Sequence, residues 1–184
     1  KMISPSKLVY IDSDGSEITL TNPEDIKRLG EEEASFRRGV LMSDETLSTL
    51  VDLSIKELNR LREESGEKRL KIIASALNYG HCIQIKEAFL ARNLRADYVH
   101  SNEDGAVNDR VFSKLENHEL DVIVQSKMLG EGFDHKFLSV AMVGSVFSNL
   151  SPFVQFVGRV MRVVKQNSPG DLVNRGVVVF HVGA

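Results

Sequence analysis

A chain of 184 residues with 42% hydrophobic and 27% charged side chains has the composition of one soluble globular domain, or one domain with an appendage, and is long enough to bury a core without cross-links. The single cysteine, Cys82, excludes an internal disulfide framework and points to a reducing compartment, taken here as the cytoplasm, while five dispersed histidines give no expectation of a metal centre held by protein ligands. A net charge of -3 excludes a nucleic-acid binder that works through bulk positive charge, and no apolar run approaches the roughly 18 residues of a membrane span.

The chain opens on Lys1 with no signal-like pattern and runs directly into strand-like sequence, as expected of a piece of a longer protein. Lys7–Ile11 and Glu17–Leu20 read as short strands joined by the turn signal Asp12-Ser-Asp-Gly15. A helix is expected from Thr21-Asn22-Pro23 to about Arg38, with Gly39 as its stop. Ser43 then caps a second helix, whose apolar residues Leu47, Leu50, Val51, Ile55, Leu58 and Leu61 recur at helical spacing.

From residue 68 strands and helices alternate. Strands are expected at 70–75, 96–100, 121–125, 138–144 and 176–182, with helices at about 80–92, 107–117 and 152–165. Continuous apolar strands separated by helices imply a buried parallel sheet covered on both faces. Ligands of such sheets gather at the carboxyl ends of the strands, which directs attention to the loops after Ser75, His100 and Gln125.

Two segments carry chemistry. In a helix starting at Pro152, Gln155, Gly158, Arg159 and Arg162 are spaced to share one face, with Phe153, Val157, Val160 and Val164 opposite. An amphipathic helix with two solvated arginines would look much the same. Gly158 argues against that, because a glycine inside a helix costs about 1 kcal/mol relative to alanine. Its use there would be close approach of a ligand or another backbone, and two arginines on such a face suit the oxygens of a phosphate. The second segment runs from a buried strand at Asp121 through Gly130, Glu131 and Gly132 to Asp134. Its glycines allow backbone amides to turn towards a phosphate or sugar, and the aspartate can accept from ribose hydroxyls. A plain strand-to-strand connection is the alternative.

In order, these segments resemble superfamily 2 helicases and translocases over about residues 68–184. Lys71–His81 looks like motif IV, Leu129–Asp134 has the Gly-Glu-Gly-aromatic-Asp core of motif V, and Gln155-x-x-Gly-Arg-x-x-Arg162 matches motif VI. Val107–Arg110 resembles the arginine-bearing helix that precedes motif V. The resemblance implies a RecA-like α/β lobe, a parallel sheet sandwiched by helices, at residues 43–184, with a strand and helix appendage or interlobe linker at 1–42. It further implies that Arg159 and Arg162 are arginine fingers for ATP held by a first lobe and that Gln155 positions water or couples ATP to nucleic acid. Gly130, Glu131, Gly132, Asp134 and Gly158 would line the nucleotide cleft. Ser75, Asn78, Ser126 and Lys127 would touch the backbone of the tracked strand.

No Gly-x-x-x-x-Gly-Lys-Ser/Thr loop is present, so ATP and its Mg2+ would be held mainly by the first lobe and this chain alone should not turn over ATP. Asp44-Glu45 is read as a helix first turn after its Ser43 cap, not as a magnesium box. DNA is favoured over RNA, because the RNA-directed DEAD-box proteins carry His-Arg-x-Gly-Arg where this chain has Gln155-Phe-Val-Gly-Arg, and the Ser151-Pro-Phe153 lead-in looks closer to DNA repair and restriction translocases. The competing reading is a non-catalytic nucleic-acid or protein interaction module that kept the fold. A doubly wound cofactor enzyme fits less well, lacking Gly-x-Gly-x-x-Gly after the first strand.

Overall fold

The strand at Lys71–Ala76 (β3) has all six residues buried, and its alternation divides the core in two. Ile72, Ala74 and Ala76 face one cluster and Ile73 the other, because successive strand residues point to opposite sides of a sheet. The computed structural model describes residues 8–11, 17–20, 24, 28, 35, 37–126, 134–147, 150–168 and 170–181. Around β3 it places β4 (Ala96–His100), β5 (Val122–Ser126), β6 (Leu138–Gly144) and β7 (Val177–Phe180) in the order β4-β5-β3-β6-β7, every pairing parallel. A short antiparallel hairpin of β1 (Leu8–Ile11) and β2 (Glu17–Leu20) stands apart from this sheet.

Helix α1 (Asp44–Ser65) and helix α2 (Tyr79–Leu90) cover one face through Leu50, Val51, Leu58, Leu61, Cys82, Ile85 and Phe89. Helix α3 (Gly105–Glu116) and helix α4 (Leu150–Gly158) cover the other through Val111, Leu115 and Phe156. The parallel sandwich expected from the sequence is therefore the fold. Ser43 caps α1 by accepting from the Thr46 amide, and Gly66 ends it in the left-handed conformation at φ 73°. That capping role accounts for Asp44 and Glu45 as first-turn acids.

Two expectations are corrected. Residues 37–42 are helical, so Gly39 does not stop the first helix; the backbone turns only at Ser43, whose hydroxyl donates to Val40 O at 2.8 Å. Leu41, at 2% exposure, reaches into the main core. The helix expected to run from Pro152 to Lys165 ends at Gly158. Beyond it, Arg159, Val160 and Met161 donate backward over three residues, a tightening turn. The amides of Val164 and Lys165 then go to Asn174 Oδ1, at 2.8 and 2.9 Å, instead of a helical ladder. Gly158 and the β-branched residues Val160, Val163 and Val164 make a longer helix unfavourable, and Val160 is drawn into the core at 2% exposure.

Asp121, immediately before β5, ties three elements together. It accepts from Arg62 at 2.8 Å and from Arg95 at 2.9 and 3.1 Å. Burial alone would raise its pKa, but the bonds from Arg95 and Arg62 outweigh that and hold the carboxyl well below the usual carboxylate range. No helix among the described residues is long and apolar enough to cross a membrane.

Candidate functional site

The topology separates the expected site residues into two groups. Because β6 and β7 are parallel, the α4 connection must run back along the sheet, which delivers the residues after Gly158 to the amino ends of the strands. Asp134 precedes β6 by four residues and lies at the same end. There Arg162 Nε donates to Asp134 Oδ1 at 3.0 Å, with the two side chains 51% and 56% exposed. The half-buried Arg159 sits within electrostatic reach of both: burial lowers its pKa from the ordinary value, the Asp134 charge partly opposes that, and Arg162 adds to it. The arginines of the expected phosphate site thus converge on one carboxylate, though by way of a turn rather than a shared helical face.

A cleft of about 700 Å³ opens beside this pair, lined by Arg69, Lys136, Arg162, Asp134 and Glu116, with Phe137 beneath. Arg69 lies 4.3 Å above the Phe137 ring and is held by Glu67, whose carboxyl is lowered to about 2 chiefly by that arginine's hydrogen bonds. Residues 67–69 and 136–137 were not singled out in the sequence, because their proximity to Arg162 depends on the return of α4 and has no local signature. Gln155 is exposed on α4. A Cβ built at Gly158 would meet nothing within 4 Å, so the lobe itself gives no steric reason for a glycine there. Gly130, Glu131, Gly132 and Lys127 lie outside the described residues.

The second group sits at the carboxyl ends of the strands. Ser75, on β3, is buried; its hydroxyl accepts from the Gly144 amide at 3.2 Å and from the Ser145 hydroxyl at 2.8 Å. Asn78 caps α2, its Oδ1 accepting from the His81 amide at 2.9 Å. Ser126, the last residue of β5, is 2% exposed. The exposed groups of this edge include Asn78, Tyr79 and Gly80. Tyr79 is fixed by donating to Glu103 at 2.9 Å, and Tyr98 donates to the same oxygen at 2.7 Å. Those two phenols hold the Glu103 carboxyl below its ordinary pKa. The tyrosine pair escaped sequence reasoning because it joins the first turn of α2 to the middle of β4, 19 residues apart.

A five-stranded parallel sheet covered on both faces, with an arginine-bearing turn returning to one edge, is the architecture of a RecA-like lobe. The helicase conserved C-terminal domain family matches residues 50–164, and the chain belongs to that family. Three solved structures illustrate the likeness. The C-terminal domain of a Saccharomyces cerevisiae Dbp5 variant, bound to Gle1 and IP6, is 14% identical with a TM-score of 0.53, covering 75% of this chain and 71% of that one. The Pyrococcus furiosus Hef helicase domain is 14% identical, TM-score 0.51, over 75% of this chain and 26% of that one. Domain 2 of the DEAD-box helicase Mss116p, bound to an RNA duplex, is 16% identical, TM-score 0.52, over 73% and 50%. At these identities the structures share the fold alone, and the chain spans only a quarter to a third of several longer ones. No curated protein matches the chain.

Proposed function

We propose that residues 43–184 form the second motor lobe of an ATP-dependent helicase or translocase, with 1–42 as an appendage or interlobe linker. In this reading Arg159 and Arg162 reach ATP held by the first lobe, stabilising the charge that spreads over the transferred phosphoryl group. Gln155, exposed on α4, positions the attacking water or links ATP to nucleic acid. Asp134, Gly158 and the Gly130-Glu131-Gly132 segment line the nucleotide cleft. The observation that carries the reading is the Arg162–Asp134 pair at the amino edge of the sheet, beside a cleft of about 700 Å³. Among the described residues no three histidine, cysteine or acidic side chains gather around one point. In this reading Mg2+ comes with the nucleotide and is held mainly by the first lobe, where it would neutralise phosphate charge.

The nucleic-acid track runs along the carboxyl edge, at Ser75, Asn78, Ser126 and Lys127. Since the Ser75 hydroxyl is committed within the sheet and Asn78 Oδ1 to its helix, contact from these two residues falls to exposed backbone and to the Asn78 amide nitrogen. DNA as the preferred strand rests on the Gln155-Phe-Val-Gly-Arg sequence of motif VI alone, while most of the structural neighbours (Dbp5, Prp28 and Mss116p) are DEAD-box proteins, several of them bound to RNA. ATP turnover by the full-length protein, measured with single-stranded DNA, with single-stranded RNA and with neither, tests both levels. Stimulation by DNA is expected. Stimulation by RNA alone reverses the strand preference, and no turnover under any condition favours a non-catalytic interaction module.

A further inference from the structure

The resemblance places Asp134 among the residues that help bind the nucleotide. Its geometry here suggests the opposite sign. The carboxylate bonds Arg162 at 3.0 Å, so an anion already occupies one of the proposed fingers. Because Arg162 Nε–H is committed to the carboxylate, a phosphate that binds the Nε edge of the guanidinium with two parallel hydrogen bonds must displace it. The two anions would also repel each other at contact distance.

We propose that Asp134 is a latch: it holds the Arg162 finger as an internal stand-in for phosphate, and ATP binds by displacing it. This rests on the finger reading above and adds a competitor to it. Three features suit a latch that opens. Both side chains are more than half exposed, so the contact is not locked by packing. The 700 Å³ cleft beside it gives the displaced carboxylate and the incoming anion room. Lys136, which lines that cleft two residues from Asp134, offers a cation towards which the released carboxylate can swing. Guanidinium binds phosphate with two parallel hydrogen bonds and a larger charge, so exchange runs towards ATP. The latch taxes ATP affinity by the fraction of lobes in which Arg162 is held.

The sign of one substitution separates the two roles. Asp134→Asn keeps the size and a hydrogen-bond acceptor for ribose but removes the charge that holds Arg162. Titration calorimetry of the full-length protein with a non-hydrolysable ATP analogue and Mg2+ should show Asp134→Asn binding about two- to fivefold more tightly than wild type, the range of an exposed ion pair. Arg162→Ala should bind more weakly than wild type, and adding Asp134→Asn to Arg162→Ala should bring no further gain. Unchanged or weaker binding by Asp134→Asn overturns the latch. If Arg162→Ala turns ATP over as fast as wild type, the finger reading fails and the latch falls with it. If that turnover collapses while Asp134→Asn binds no more tightly, only the latch is lost.

Discussion

Arg62, in the last turn of α1, reaches 59 residues along the chain to Asp121 at 2.8 Å, and the same guanidinium donates to Leu70 O at 3.1 and 2.7 Å. One side chain therefore fixes the helix to the entries of both β3 and β5. Asp121→Ala leaves that arginine without its anion and is expected to cost about 3 kcal/mol, the lower end for breaking a buried pair. The folded carboxyl has a depressed pKa, so its stabilisation is present above the unfolded value and lost as pH falls from about 4 into strong acid. Urea unfolding of wild type and variant across that range checks both the size and the disappearance of the difference.

Lys71 gives a slope of the same sign at the alkaline end of the range. It is 1% exposed and donates to Leu120 O, and burial lowers its pKa from 10.5 to about 8. A folded lysine that deprotonates earlier than the unfolded one destabilises the fold at neutral pH, and that penalty is relieved as pH rises from about 8 to 10.5. Lys71→Met removes the penalty but strands the Leu120 carbonyl, for a net gain of about 1–2 kcal/mol at pH 7. In the variant, the alkaline rise in melting temperature should flatten.

Gly144 and Gly158 should respond in opposite ways to alanine. A Cβ at Gly144 would lie 2.5 Å from Ser75 O on the neighbouring strand, a backbone atom that cannot yield cheaply. Gly144→Ala is expected to cost about 1–3 kcal/mol. At Gly158 a Cβ meets nothing, so Gly158→Ala should leave the melting temperature unchanged or slightly higher. In the full-length protein, however, the same methyl should lower ATP turnover if nucleotide or the first lobe approaches there. Thermal melts of both variants, with turnover of the second, separate packing from function.

The sheet was legible because most of its strands have an apolar centre and its helices carry apolar residues at regular spacing: β5 and β6 read as buried and every residue of each is buried. Ser43 was legible as a cap because a hydroxyl before Asp44-Glu45 is local chemistry. The end of α4 was not, since Val160, Val163 and Val164 continue a helical apolar pattern past Gly158; the chain instead tightens into a turn over Arg159–Met161, and Asn174, ten residues from Val164, takes the Val164 amide beyond it. Arg159 and Arg162 were found by their spacing, but the reason given for their meeting was a helical face that stops one residue before Arg159. Asp134, the partner of Arg162, is brought in by the reversal of chain direction between parallel strands. That relation is tertiary, and no window of sequence contains it.

The central claim is that this lobe supplies arginines to ATP, and steady-state ATP turnover of the full-length protein with saturating single-stranded DNA tests it most directly. Arg159→Ala should lower turnover by about 10³-fold or more, the scale of removing an arginine finger, while the melting temperature stays within a few degrees of wild type. Arg159→Ala turning over as fast as the wild-type protein would contradict the account.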